Sequence, residues 1–216
     1  MPGSFTDYAE GKVLGHLFGG TSYAAVATWY IGFFSTAPTD SAAGTELSGS
    51  GYARVAVLNN TTNFPAVSAG SPVVTGVDIT CFTASGSHTA VAVGIFDALT
   101  SGNLVAWSWL GSDSGKVFSA ATSDTFTAPG HTLSDTNQVR IVAIPGATLP
   151  TGVSAGTTYF VRDSATDTFK LALTSGGTAI DITASGAGLV ALIEAKAIAN
   201  LDVVRILAGQ LSISLD

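Results

Sequence analysis

The stretch from Val91 to Leu110, VAVGIFDALTSGNLVAWSWL, constrains the fold more than any other part of the chain. Val91, Val93 and Ile95 alternate with Ala92, Gly94 and Phe96. Beyond a connector, Val105, Trp107 and Trp109 alternate with Leu104, Ala106 and Leu110. Neither run has a polar face, which is the pattern of strands buried on both sides. The connector Asp97–Asn103 ends in Ser101-Gly102-Asn103, residues that accept positive φ or cap a turn through a side chain. A hairpin buried between two sheets follows. Two of the chain's three tryptophans lie on its second strand, so the pair is expected at the centre of the core.

Around this hairpin the chain reads as strands and turns. Hydrophobic residues make up 46% and charged residues only 11%, with 25 glycines, a composition that supports a packed sheet protein and not disorder. One helix stands out, Thr6 to Phe18. Asp7 is placed to cap its first turn, Glu10 lies in capping-box position, and Gly19-Gly20 ends it. Gly11, Gly15 and Gly19 recur every four residues, at a cost of roughly 1 kcal/mol each inside a helix. They imply close approach to a sheet or to a neighbouring chain. Strand patterns follow at Ala27–Ser35, at Tyr52–Val57 with Arg54 facing out, and at Val73–Phe82 with Cys81 as a small core side chain. Val203–Leu207 and Gln210–Leu215 read the same way.

The texture changes after Leu110. Gly111–Lys116 reads as a polar loop, and the stretch up to Leu189 is rich in Thr, Gly and Asp, with strand patterns at Gln138–Ile144, Thr157–Arg162, Asp167–Leu173 and Ala179–Thr183. SDTF at Ser123–Phe126 and TDTF at Thr166–Phe169 echo each other, too briefly to define a repeat. The expected fold is all-β: a jelly-roll-like β-sandwich with one N-terminal helix and an inserted small β module. Residues 1–116 and 190–216 form the sandwich base, and residues 117–189 form the module.

Several functions are disfavoured on chemical grounds. The formal net charge is −7 with no basic run, so nucleic acid is not an expected partner. Cys81 is alone, which rules out a disulfide framework or a thiolate metal site. The N-terminus MPGSFTDYAEGK lacks a basic-then-apolar signal pattern, and no apolar run approaches membrane-spanning length; a protein soluble in the cytoplasm where it is made is expected. His16, His88 and His131 are not at metal-ligand spacing and read as turn or surface residues. Asp163 and Asp167 could bracket a Ca²⁺ but lack the surrounding ligand pattern, so a solvated turn is the expectation. Gly19-Gly20-Thr21-Ser22 lacks the lysine and spacing of a phosphate loop, and no serine sits in a Gly-x-Ser-x-Gly setting. No catalytic, cofactor-binding or metal residue is assigned, no cofactor is expected, and the chain is read as not an enzyme.

The motifs, taken in order, resemble a family. Asp7-Tyr8, Lys12-Val13-Leu14, His16 to Thr21, Trp29 to Phe34 and Thr36 to Asp40 look like the N-terminal block of a tailed-phage virion protein family. Gly44-Thr45-Glu46, Gly51-Tyr52-Ala53-Arg54, Phe64-Pro65, Gly94-Ile95-Phe96-Asp97 and Gly102-Asn103-Leu104 continue it, and Lys196–Asp216 resembles its ending. Members are often labelled phage tail fibre proteins, and the related fold is a jelly-roll-like sandwich of the capsid decoration, or cement, type. The resemblance implies a non-enzymatic structural protein of the bacteriophage virion surface, synthesised in the bacterial host cytoplasm. It implies a capsid decoration protein that binds the major capsid protein, stabilises the shell and forms a homo-oligomer. The alternative is a tail fibre or tail-tip component that binds tail proteins and contacts the host. A third possibility, a carbohydrate-binding module, rests on Trp29 and Tyr30 being exposed. No membrane partner is expected.

Overall fold

A chain this rich in short apolar runs separated by Gly, Ser and Asn turns has to satisfy its backbone through many short ladders. The computed structural model, described over residues 5–24, 26–39, 42–66, 72–110, 115–155 and 157–213, shows how. One helix, α1 (Asp7–Phe18), is followed by β1 (Thr28–Thr36), β2 (Thr45–Glu46), β3 (Val55–Leu58), β4 (Val73–Val74), β5 (Ile79–Thr83), β6 (His88–Ala90), β7 (Ala92–Phe96) and β8 (Leu104–Trp109). Then come β9 (Lys116–Ala120), β10 (Phe126–Thr127), β11 (Gln138–Val142), β12 (Thr158–Arg162), β13 (Thr168–Ala172) and β14 (Gly186–Leu192). The chain closes with β15 (Lys196–Ile198), β16 (Val203–Ile206) and β17 (Ser212–Ile213). The all-β class with a single N-terminal helix holds. Among the described residues no helix is long and apolar enough to cross a membrane.

The chain divides into two compact units, residues up to Leu110 together with Ala195–Asp216, and residues Gly111–Glu194. In the first, the opening hairpin forms β7 and β8, and every residue of β7 is buried. β1 pairs with β7 on one side and with β2 and β3 on the other. The remaining pairings are nested: β4 with β17, β5 with β16, β6 with β15, then β7 with β8, all antiparallel. A ribbon folded back on itself in this order is the connectivity of a jelly roll. Ile31 and Phe33 of β1, Val57 of β3, and Val93 and Ile95 of β7 meet Ile79 and Phe82 of β5, Ala90 of β6 and Ile198 of β15 in one core.

The tryptophan pair is not at the centre of that core, contrary to expectation. Val93 and Ile95 point inward, so their neighbours Ala92 and Gly94 point the other way, and these are the residues paired with Trp109 and Trp107. The two indoles touch edge to face at 5.6 Å on the opposite side of the sheet, with Trp109 buried and Trp107 half-buried. Three further corrections concern elements. The capping box is absent: Thr6 is the N-cap, and its hydroxyl donates to the Leu104 carbonyl at 2.5 Å. The strand read over Val73–Phe82 is broken into β4 and β5 between Thr75 and Asp78. Tyr52–Arg54 precede β3 and are not part of it. Residues 214–216, at the end of the last strand pattern, and residues 111–114 of the polar loop lie outside the described residues.

The second unit is a closed barrel in the order β10-β13-β12-β11-β14-β9. Its core holds Phe118, Phe126, Phe169, Tyr159, Val139, Ile141, Val161 and Leu171. The echoed tetrapeptides are neighbours here: Phe126 and Phe169 are register partners, with rings stacked at 5.4 Å. Their aspartates act alike, Asp124 accepting from the Ile182 amide and Asp167 from that of Gly130. Ala179–Thr183, read as a strand, contains none; β9 and β14 supply the closing strands instead. These two are the first and last strands of the unit and pair with each other, Lys116 opposite Val190.

Candidate functional site

Residues from several of the ordered motifs gather at one place in the first unit, around the β7–β8 turn. Ser101 and Gly102 both take positive φ, 55° and 70°, which reverses the chain tightly enough for Asn103 to face Asp97. Asp97 accepts from the Asn103 amide at 2.7 Å, from the Asn103 side-chain nitrogen at 2.8 Å and from the Tyr8 hydroxyl at 3.0 Å. Burial would raise its pKa, but these hydrogen bonds outweigh it and hold the carboxyl below its ordinary range. Tyr8 is raised by burial and by its bond to Asp97. Tyr23 is raised by burial and by the charge of the same carboxylate.

Arg54 ties this turn to β2. Its Nε and Nη2 donate to the two oxygens of Glu46, at 2.8 and 2.7 Å, in a bidentate pair. Nη1 donates to the carbonyls of Ala98 and Ser101, at 2.8 and 2.7 Å, and the guanidinium lies 3.3 Å from the centre of the Phe96 ring. Arg54 was expected to face out; its side chain is only 9% exposed, because every polar group it carries inward finds an acceptor. The Tyr52 hydroxyl donates to Glu46 at 2.6 Å and accepts from the Phe33 amide at 3.0 Å. Burial acts to raise the Glu46 carboxyl, and the bonds from Arg54 and Tyr52 reverse this, so its pKa is lowered. Tyr52 itself is raised strongly, by burial first and then by Glu46.

Gly32 forms the floor of the cluster. A Cβ there would lie 2.8 Å from the Tyr52 hydroxyl, 2.9 Å from the Phe96 ring and 3.0 Å from Glu46. Sequence reading quoted Glu46, Tyr52, Arg54, Phe96, Asp97 and Asn103 as separate motif members and gave them no common role. What it missed is that these four motifs, with Asp7-Tyr8 as a fifth, close one network. The one available signal was pairing of opposite charges between motifs, Glu46 with Arg54, across a loop whose length hid it.

Chemically, the network holds the fold and offers no reactive group. Both carboxylates are occupied by donors, the guanidinium is spent on four acceptors, and among the described residues neither a base nor a nucleophile stands free beside them. The other candidates are likewise engaged. The Cys81 thiol packs against the core, and burial pushes it up to about 11. His16 is exposed on α1, and its Nδ1 accepts from the Tyr23 amide at 3.3 Å. His88, read as a turn residue, is half-buried on β6, packs edge-on against Tyr52 and Phe82, and has Nε2 3.2 Å from the Ser50 carbonyl. His131, read as a surface residue, is buried at the barrel core: its Nδ1 accepts from the Leu133 amide at 2.9 Å and its ring meets Phe169. Asp163 pairs with Arg162 and Lys170, while Asp167 holds the Gly130 turn, so the two do not converge on one point. Among the described residues no group of three or more His, Cys, Asp or Glu could hold a metal ion. Trp29 and Tyr30 are half-buried, with Trp29 packed on the core.

The family model of Podophage GP4 fiber I protein gp80 matches residues 4–136, well over half of the chain, from before α1 through β8 and the first two strands of the barrel. No curated protein matches the chain.

Proposed function

The chain belongs to the family of podophage GP4 fiber I protein gp80, a family of fibre-type structural proteins of the phage virion, and on that premise we propose that it is a component of the tail fibres. In this role the first unit is the attachment body and the barrel is an inserted cassette for surface contact. The family match carries the proposal. The latch around Arg54 supports it, since the motif residues secure a scaffold and form no reaction centre. The capsid-decoration role implied by the family resemblance shares the virion and the non-enzymatic scaffold but requires a different location.

Copy number in purified particles separates the two. A tail fibre component is present in a few sets of three or six per virion, whereas a decoration protein follows the capsid lattice and is present in hundreds. Quantitative mass spectrometry against the major capsid protein, with gold-labelled antibody on intact particles, is expected to give the low number and label at the tail. Hundreds of copies with label over the head would overturn the fibre assignment in favour of decoration.

A further inference from the structure

α1 is built against its own stability. Twelve residues are marginal for an isolated helix even when rich in alanine, and this one carries two interior glycines. Steps of about 100° per residue put Ala9 and Val13 on one flank and Leu17, Glu10, Leu14, Asp7 and Phe18 on an adjoining arc of about 100°. The first side faces the protein: Ala9 is the one buried residue of the helix, and Thr6 and Tyr8 anchor the first turn through Leu104 and Asp97. The second side is open. Leu14, Leu17 and Phe18 are 58%, 63% and 84% exposed. Their spacing of i, i+3 and i+4 is that of the anchors of a helix seated in a groove.

The glycines add a separate observation. Close approach to the chain's own sheet would explain them, but among the described residues a Cβ on Gly11 would meet nothing within 4 Å and one on Gly15 only the Thr21 Cβ, at 3.9 Å. The described part of the chain therefore leaves the space beside them unfilled. The charges choose between neighbours. The open face carries Asp7 and Glu10 at one end and no cation; Lys12 lies over the Tyr8 ring and His16 is bonded to Tyr23, both off this face. A second copy packed antiparallel would set these carboxylates on its Leu17 and Phe18. A second copy packed parallel would set carboxylate against carboxylate. Neither arrangement is complementary.

We infer that this face of α1 docks into an apolar groove of a different virion protein, with lysine or arginine side chains on the groove's rim opposite Asp7 and Glu10. The inference rests on the chain being a virion component, as proposed above. The test is made in assembled particles, in phage whose only source of this chain carries a photo-crosslinking phenylalanine analogue in place of Phe18. Irradiation is expected to join position 18 to a virion polypeptide of another sequence, at a peptide combining apolar with basic residues. The adduct is expected to fall at least tenfold when Asp7→Lys and Glu10→Lys are added, and to persist with Asp7→Glu. Particles that contain the chain but give no adduct, an adduct with a second copy, or an adduct indifferent to the charge reversal would each overturn the docking face alone. Absence of the unmodified chain from purified particles would instead overturn the virion assignment on which it rests.

Discussion

Replacing Arg54 with methionine tests whether the latch holds the first unit together. The substitution keeps an apolar stem over Phe96 but removes the bidentate bonds to Glu46 and both bonds to the turn carbonyls of Ala98 and Ser101. Breaking a buried ion pair from one side costs about 3–5 kcal/mol, because the remaining charge keeps its desolvation penalty. Glu46 stays 26% exposed and retains the Tyr52 hydroxyl, which places the expected loss at the lower end, about 3 kcal/mol at pH 7. For a chain of this size that corresponds to roughly 6–12 °C in melting temperature. The assay is selective, since Trp29, Trp107 and Trp109 all lie in the first unit and none in the barrel, so tryptophan fluorescence follows the first unit alone. Adding Glu46→Gln to Arg54→Met removes the orphaned charge and is expected to restore roughly 1 kcal/mol or more. A shift under about 2 °C for Arg54→Met, or a double variant less stable than the single one, would refute the latch as the element that fixes this end of the sheet.

Four further outcomes follow from particular contacts. Gly32→Ala drives a methyl group into Tyr52, Phe96 and Glu46 and is expected to lower the tryptophan-monitored stability by about 2 kcal/mol in urea titration. Glu46 and Asp97 both have pKa values lowered by folding, so their stabilisation is fully present above the ordinary carboxylate range near pH 4 and is lost as pH falls through their folded values. The urea midpoint therefore drops between about pH 5 and 3, and Glu46→Gln flattens that drop; a midpoint constant over this range would contradict the shifts. Phe169→Ala removes the stacked partner of Phe126 and is expected to cost the barrel about 3–5 kcal/mol, read as faster hydrogen exchange in peptides from residues 115–194 with the tryptophan transition unmoved. Deleting residues 111–194 and joining Leu110 to Ala195 through a short Gly-Ser linker is expected to leave the tryptophan transition in place, and its loss would show that the first unit depends on the barrel.

Sequence showed the class of the fold and much of its order, because both are carried by patterns that strand geometry imposes. The Val91–Leu110 hairpin is apolar on both faces, and β7 is buried throughout. The return of the chain at Val203 and beyond was visible as the same kind of alternation, and it pairs with β5 as part of the nested ribbon. What alternation cannot show is which face meets which layer. A single irregularity between Ile95 and Phe96 shifts the register of β8, and the tryptophans end on the side away from the main core. Very short strands were also invisible: β2 is two residues long and exists because Glu46 is held opposite Phe34 by its partners, not because Thr45-Glu46 favours a strand.

The latch illustrates why the motifs were legible as a family but silent about a role. Each is a fragment of two to four residues, and what unites them is a set of distances that only the folded chain creates: Glu46 to Arg54, Arg54 to the 97–103 turn, Asp97 to Tyr8. A polar cluster so completely satisfied is costly to alter one residue at a time, since each single change strands a buried partner. Such a cluster persists as a unit whether or not it touches a ligand. The same physics separates it from the surfaces that do work. Leu14, Leu17 and Phe18 satisfy nothing inside the chain, so a change there costs the fold little and affects whatever the helix contacts. In a protein that works by assembly, the residues that define the fold and those that define the partner are expected to be different sets, and here they meet at the first turn of α1, where the Tyr8 hydroxyl is bonded to Asp97 and the Thr6 hydroxyl to the Leu104 carbonyl. Removing the Tyr8 hydroxyl by Tyr8→Phe loosens the helix without touching its open face. The substitution is therefore expected to weaken docking through α1 by a few-fold, while the tryptophan-monitored melt of the free chain moves by no more than about 2–4 °C.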